Sequence, residues 1–140
     1  MTMSDAQPRT AARTVVTLKL PTDVTAPAIA RHAVRDALAD LGLSGPQAED
    51  ILLATSELVT NAVEHGERPE RLELDLNGER LVLRVYDAGA ELPELKPSRP
   101  SEARRRGLHL VQTLAAEWGH RRSAFGKYVW AAFVFAKPAH

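Results

Sequence analysis

Arg71 to Val85 reads RLELDLNGERLVLRV, and its pattern decides what kind of sheet the chain builds. Leu72, Leu74 and Leu76 alternate with Glu73 and Asp75; Leu81, Leu83 and Val85 alternate with Val82 and Arg84. Successive side chains of a strand point to opposite faces, so each run carries one apolar face. Asn77-Gly78 lies between the runs, and that dipeptide accepts the positive φ of a two-residue hairpin turn. A turn at 77–78 predicts Leu74 opposite Leu81 and Leu72 opposite Leu83, with all four leucines on one face. The chain therefore contains an antiparallel hairpin with one side to be covered.

Upstream, Thr14 to Leu20 (TVVTLKL) is a β-branched run that stops at Pro21, which predicts a strand. Asp23 or Thr25 can cap a helix with Pro27 in its first turn. Its apolar positions are Ile29, Ala33, Val34, Ala37, Leu38 and Leu41, and Gly42 ends it. Ser44 caps a second helix, with Pro46 in its first turn, an apolar stripe at Ile51, Leu52, Leu58, Val59 and Ala62, and Gly66 at its close. Downstream, residues 88–106 show no periodicity and contain Pro93, Pro97 and Pro100, the composition of a lid loop. Gly107 opens a third helical run, Leu108, Leu110, Val111, Leu114, Ala115 and Trp118, ending at Gly119. Arg121 to Ser123 is a short strand candidate, and Lys127 to Ala136 (KYVWAAFVFA) is a dense aromatic and β-branched strand. The order β-α-α-β-β-lid-α-β-β predicts an α/β two-layer sandwich. Its sheet is mixed and mostly antiparallel, covered on one face by about three helices.

At 140 residues and 15.3 kDa there is room for one core. We expect a disordered tail over 1–13 and a single domain over 14–137. Lys plus Arg equals Asp plus Glu, at 18 each, which argues against a globally basic nucleic-acid binder. The absence of cysteine excludes disulfides, thiolate metal sites and a cysteine nucleophile, and suits the cytoplasm. No apolar run reaches the roughly 18 residues of a membrane span, and the start has no apolar signal-peptide core. Charge is uneven locally. Between 99 and 127 seven cations (Arg99, Arg104, Arg105, Arg106, Arg121, Arg122, Lys127) face two carboxylates, Glu102 and Glu117. Such a cluster is either a solvated, helix-flanking surface or one for phosphate or an acidic partner.

The second helix holds the chemistry. In Ser56 to Gly66 (SELVTNAVEHG), Glu57 and Asn61 are four residues apart and share a face, with Asp50 and Glu64 extending the stripe. A solvated face is the ordinary reading of such a stripe. Asn, however, is a poor mid-helix residue because its amide competes for the backbone. Its carbonyl oxygen also suits Mg²⁺, while a Glu one turn away can accept a proton. Asp87 and Gly89 follow a strand, in the sequence VYDAGAEL: a turn, or a carboxylate set to accept a hydrogen bond from an amino group. Gly107 starts a helix after Arg104, Arg105 and Arg106, where open backbone N–H groups favour an anion.

These segments, in this order, resemble the motifs of the Bergerat-fold ATPases, the superfamily of gyrase, heat-shock chaperone, histidine kinase and mismatch-repair ATPase domains. Within it the chain looks like the small bacterial anti-sigma-factor serine/threonine kinases and their actinobacterial relatives. SELVTNAVEHG is similar to the first ATP motif, VYDAGAELP to the second, RRGLHLVQTLAAEWG to the third and GKYVWAAF to the closing strand. The resemblance covers roughly residues 14 to 136.

The resemblance implies ATP and Mg²⁺ as cofactors. Glu57 would orient or deprotonate the attacking hydroxyl, and Asn61 would be the metal ligand. Asp87 would read the adenine amino group, with Gly89 letting the backbone approach. Gly107 and Leu108 would meet the phosphates. Arg105 stands where the family has glycine, and Ala90-Glu91 follow Gly89 where a second glycine or small polar residues are usual. Arg105 would either pair with the terminal phosphate or obstruct the backbone path to it. Lys127 stands where the family often has a small or hydroxylated residue near the adenine pocket. The implied function is phosphorylation of a STAS-domain antagonist by a kinase that also binds a sigma factor, without direct nucleic-acid or membrane contact; a homodimer is compatible with it. The alternative is a degenerate ATPase-fold binding module without kinase activity.

Overall fold

The structure is a computed structural model that describes residues 12–66, 68–89, 109–124 and 126–135. The elements in chain order are β1 (Arg13–Lys19), α1 (Ala26–Asp40), α2 (Gly45–His65), β2 (Pro69–Asn77), β3 (Arg80–Asp87), a helical segment over 109–114, β4 (Glu117–Ser123) and β5 (Gly126–Val134). The five strands form one sheet in the order β1-β2-β3-β5-β4. All four pairings are antiparallel, so among the described residues the sheet is antiparallel throughout rather than mixed. Short turns join β2 to β3 and β4 to β5, whereas β1 reaches β2 through α1 and α2, and β3 pairs with β5 rather than with the next strand in the chain.

The helices cover one face of this sheet. Leu72, Leu74, Leu81 and Leu83 are each 0% exposed and pack with Ile51, Leu58 and other apolar residues of α1 and α2. The hairpin thus buries the expected leucines, but its register differs. Leu74 pairs with Leu83 and Asn77 with Arg80, so the loop residues are Gly78 and Glu79 rather than Asn77 and Gly78. Gly78 has a φ of 63° and takes the first loop position, where primed hairpin turns demand that sign. The register moves by two residues, the period of the pleat, so every leucine keeps its face.

On α1 the buried stripe is Ala26, Ala30, Val34, Ala37 and Leu38, one face over from part of the expected set, and Ile29 is 42% exposed. Thr25 and Ser44 occupy the N-cap positions of α1 and α2 without side-chain capping bonds; Asp23 instead accepts from the Thr25 backbone N–H at 2.9 Å. Arg13, expected in the tail, already pairs with Leu76 in β1. The remaining tail residues to 11 lie outside the described residues.

The third helix ends earlier than its apolar spacing predicts. Ala115 N–H makes its last backbone bond to Val111, and Ala116 N–H then bonds Ala132 on β5. Trp118 and Gly119 therefore lie in β4, not at a helix end. Helical and strand periodicity coincide at Trp118: either puts it against the core, where it packs. Pairing with β5 decides the matter, because β5 would otherwise leave a ladder of backbone groups unpaired. Gly119 is opposite Trp130, and a Cβ there would sit 3.1 to 3.3 Å from the indole.

The other sheet face is polar and aromatic. Arg84 donates to Asp75 at 2.6 Å, Tyr86 donates its hydroxyl proton to Glu73 at 3.0 Å, and the Tyr86 and Tyr128 rings lie 5.0 Å apart. Burial and the bond to Glu73 hold the Tyr86 hydroxyl above the usual tyrosine range.

Because Leu83 is sealed between β2, β5 and the helices, Leu83→Ala should cost about 2–5 kcal/mol in urea unfolding. Val134→Ala, at a position 55% exposed, should cost no more than about 1 kcal/mol in the same measurement.

Candidate functional site

The sheet register delivers two charges to the helix layer. Leu81, Leu83 and Val85 point into the core, and Asp87 has the same parity at the end of β3. On β5 the residue directly opposite Asp87 is Lys127. Both are buried, at 6% and 4% exposure, and Lys127 Nζ lies 3.6 Å from Asp87 Oδ1. The same oxygen accepts the backbone N–H groups of Arg68 at 3.0 Å and Gly89 at 2.6 Å. Lys127 Nζ also donates to the Gly89 carbonyl at 3.5 Å. A buried carboxylate is tolerable only with such partners.

Two glycines let the chain close around Asp87. Gly66 has φ −77° and ψ 171°, which any residue can adopt, so its requirement is spatial. A Cβ there would overlap Asp87 Oδ2 and the Ala62 carbonyl oxygen. At Gly126 a Cβ would overlap the Asp87 carbonyl oxygen, and its φ of 154° also disfavours a side chain.

Beside this pair an open cleft of about 390 Å³ lies between the C-terminal half of α2 and the ends of β3 and β5. Leu58, Asn61, Ala62 and His65, spaced at helical intervals, form one wall; Asp87 and Lys127 belong to the other. Asn61 Oδ1 is buried here with no hydrogen-bond partner. Buried polar atoms are nearly always bonded, so an orphaned amide oxygen in a cleft wall is a ready cation ligand. No group of three or more His, Cys, Asp or Glu able to hold a metal occurs among the described residues. This arrangement fits Mg²⁺, which takes few protein ligands and draws the rest from phosphate and water.

Glu57 is half-buried one helical turn before Asn61, outside the cleft wall. Gly89 is buried against Asp87, joined to it and to Lys127 through its backbone. The structure therefore gathers Asn61, Asp87, Gly89 and Lys127 and sets Glu57 adjacent. Arg105, Gly107, Leu108 and the loop beyond Gly89 lie outside the described residues. Lys127, counted above with the local positive cluster, is instead a buried partner of Asp87. Three features escape the sequence reading: the spatial need for Gly66, His65 as cleft wall, and the Asp87–Lys127 pair. The available signal was a lysine at core-facing parity in an otherwise apolar strand.

The family model described as histidine kinase-like ATPase domain matches residues 20–133. Among solved structures, the crystal structure of the RsbU and RsbW domains of Rv1364c from Mycobacterium tuberculosis matches with a TM-score of 0.68 and 24% identity. The match covers 89% of this chain, which spans 32% of that one. It establishes the likeness of fold. No curated protein sequence matches the chain at significance.

Gly66→Ala should displace the Asp87 carboxylate and cost about 1–3 kcal/mol, as overpacking does. Thermal unfolding measures the cost, and the amide resonances of Arg68 and Gly89, both donors to Asp87, should shift in the NMR spectrum of the variant.

Proposed function

Because this chain belongs to the histidine kinase-like ATPase domain family, we propose that it is an ATP-dependent protein serine/threonine kinase of the anti-sigma-factor type. Its substrate is a STAS-domain antagonist protein, its second partner a sigma factor, and its place the cytoplasm. The observation that carries the reading is the partnerless, buried oxygen of Asn61, a residue in the wall of a cleft that Asp87 also lines. No described helix is long and apolar enough to cross a membrane.

In this reading Asn61 offers its amide oxygen to Mg²⁺, and Asp87 accepts a hydrogen bond from the adenine amino group. Gly89 brings the backbone close to the base. Gly107 and Leu108 supply N–H groups to the phosphates from the start of their helix. When bound, Mg²⁺ neutralises charge on the β- and γ-phosphates. The substrate hydroxyl oxygen bonds to the γ-phosphorus, the bond to the β–γ bridging oxygen breaks, and ADP leaves with the electron pair. Glu57 takes the hydroxyl proton. Its position one turn before Asn61 supports that role, because the two side chains share a helix face.

A second reading, a regulatory binding module without phosphoryl transfer, draws support from Lys127. That ammonium already pairs with the carboxylate meant for the base.

Titration with Mg²⁺-ATP separates the two. A kinase should gain about 2.7 kcal/mol of stability at 100 times Kd, read as a thermal shift; the absence of any shift at millimolar Mg²⁺-ATP favours the binding module. Asn61→Ala should weaken ATP binding and abolish its dependence on Mg²⁺ in calorimetry. Unchanged Mg²⁺-ATP affinity in that variant would remove Asn61 as the metal ligand.

Glu57→Ala should bind ATP as the wild type does. Its transfer of labelled γ-phosphate to a STAS-domain substrate should fall by a factor of about 10² to 10⁴.

A further inference from the structure

Lys127 has no part in the chemistry above, yet it is a buried ammonium in the wall of the nucleotide cleft. The β3–β5 register fixes it opposite Asp87, at 3.6 Å from Oδ1, and its contact with the Gly89 carbonyl is long at 3.5 Å. A lysine ammonium has three donors and no acceptor; an ionised carboxylate has only acceptors. Side by side, they present a donor next to an acceptor to whatever enters the cleft.

That pairing changes what the wall can distinguish. A lone carboxylate accepts from the 6-amino group of adenine and repels the carbonyl oxygen that a 6-oxo purine carries at the same place. With an ammonium alongside, the 6-oxo base has a complementary fit: its O6 accepts from Lys127 Nζ while its N1–H donates to Asp87. Adenine fits the same pair through its amino group on Asp87 and its N1 on Lys127. The two bases differ in their seat by about one ring position. The penalty that would exclude inosine and guanosine nucleotides is thereby removed.

We propose that Lys127 is a specificity-determining residue that makes this cleft a general purine site, accepting 6-oxo purine nucleoside triphosphates alongside ATP. The inference rests on the nucleotide reading of the cleft and deepens it. A purely structural role, neutralising Asp87, would leave the preference between bases unmoved.

The test is calorimetric titration of the full chain with Mg²⁺-ATP and with Mg²⁺-ITP, which differ at the 6-position and in the protonation of N1. Wild type should bind the two within about threefold of each other, since each base finds both of its partners. Lys127→Met, or Lys127→Thr should the methionine variant fail to fold, should prefer ATP by about 10- to 100-fold, the scale on which one mismatched polar edge is rejected. A wild-type preference for ATP of that size overturns the proposal while leaving the nucleotide reading intact. So does a ratio that is the same in wild type and a folded variant. If neither nucleotide binds wild type or variant, the nucleotide reading falls and this inference with it. The wild-type ratio decides the question even if both variants unfold.

Discussion

The buried carboxylate of Asp87 is the constraint around which the rest of the site is organised. An ionised group at 6% exposure must be given donors, and the fold gives it two backbone N–H groups and an ammonium. Each donor comes from a different piece of chain: Arg68 before β2, Gly89 after β3, and Lys127 on β5. The carboxylate thus ties together the end of the hairpin, the closing strand and the connection leaving α2. Gly66 and Gly126 follow from the same demand, because the backbone must pass where a Cβ would overlap Asp87. Withdrawing one partner of such a pair typically costs about 3–5 kcal/mol, since the remaining charge stays buried.

The sheet and the helix layer divide the work. The antiparallel register aligns Asp87 and Lys127 at the end of β3 and the start of β5 and points both toward the helices. The helix period aligns Leu58, Asn61, Ala62 and His65 on the facing wall. Over most of this interface apolar residues meet apolar residues. At its end that rule is broken three times, by Asp87, Lys127 and the partnerless oxygen of Asn61. Local violations of core packing concentrate at functional sites, where polar groups are held ready for a ligand.

Much of the architecture is legible in the residues. The alternation in 71–85 identifies the hairpin and the face that becomes core, and the helical stripes identify α1 and α2. What the residues do not disclose is where alternatives are locally equivalent. Asn77-Gly78 and Gly78-Glu79 are both workable loops, and they differ by one full pleat period, so the leucine pattern is blind to the choice. Trp118 satisfies a helix stripe and a strand face alike. On α1, Ile29 looks like a core residue by hydrophobicity, yet the small side chains of Ala26 and Ala30 take the buried positions.

For the site, Asn61 and Asp87 stand out in the sequence through the chemistry of their types and neighbours. The pairing of Asp87 with Lys127 does not, because the two are forty positions apart and meet only through the β3–β5 register. The same holds for Gly66, which reads locally as the end of a helix. The sequence by itself determined most of the elements, the core face of the hairpin and the presence of a Glu57–Asn61 pair on one helix face, since these depend on periodicities within a single segment. Only the tertiary structure decided the hairpin loop, the strand start at Glu117 and the buried ion pair in the cleft wall. Each of those depends on which segments share hydrogen bonds, and pairing across the sheet is a property of no single segment.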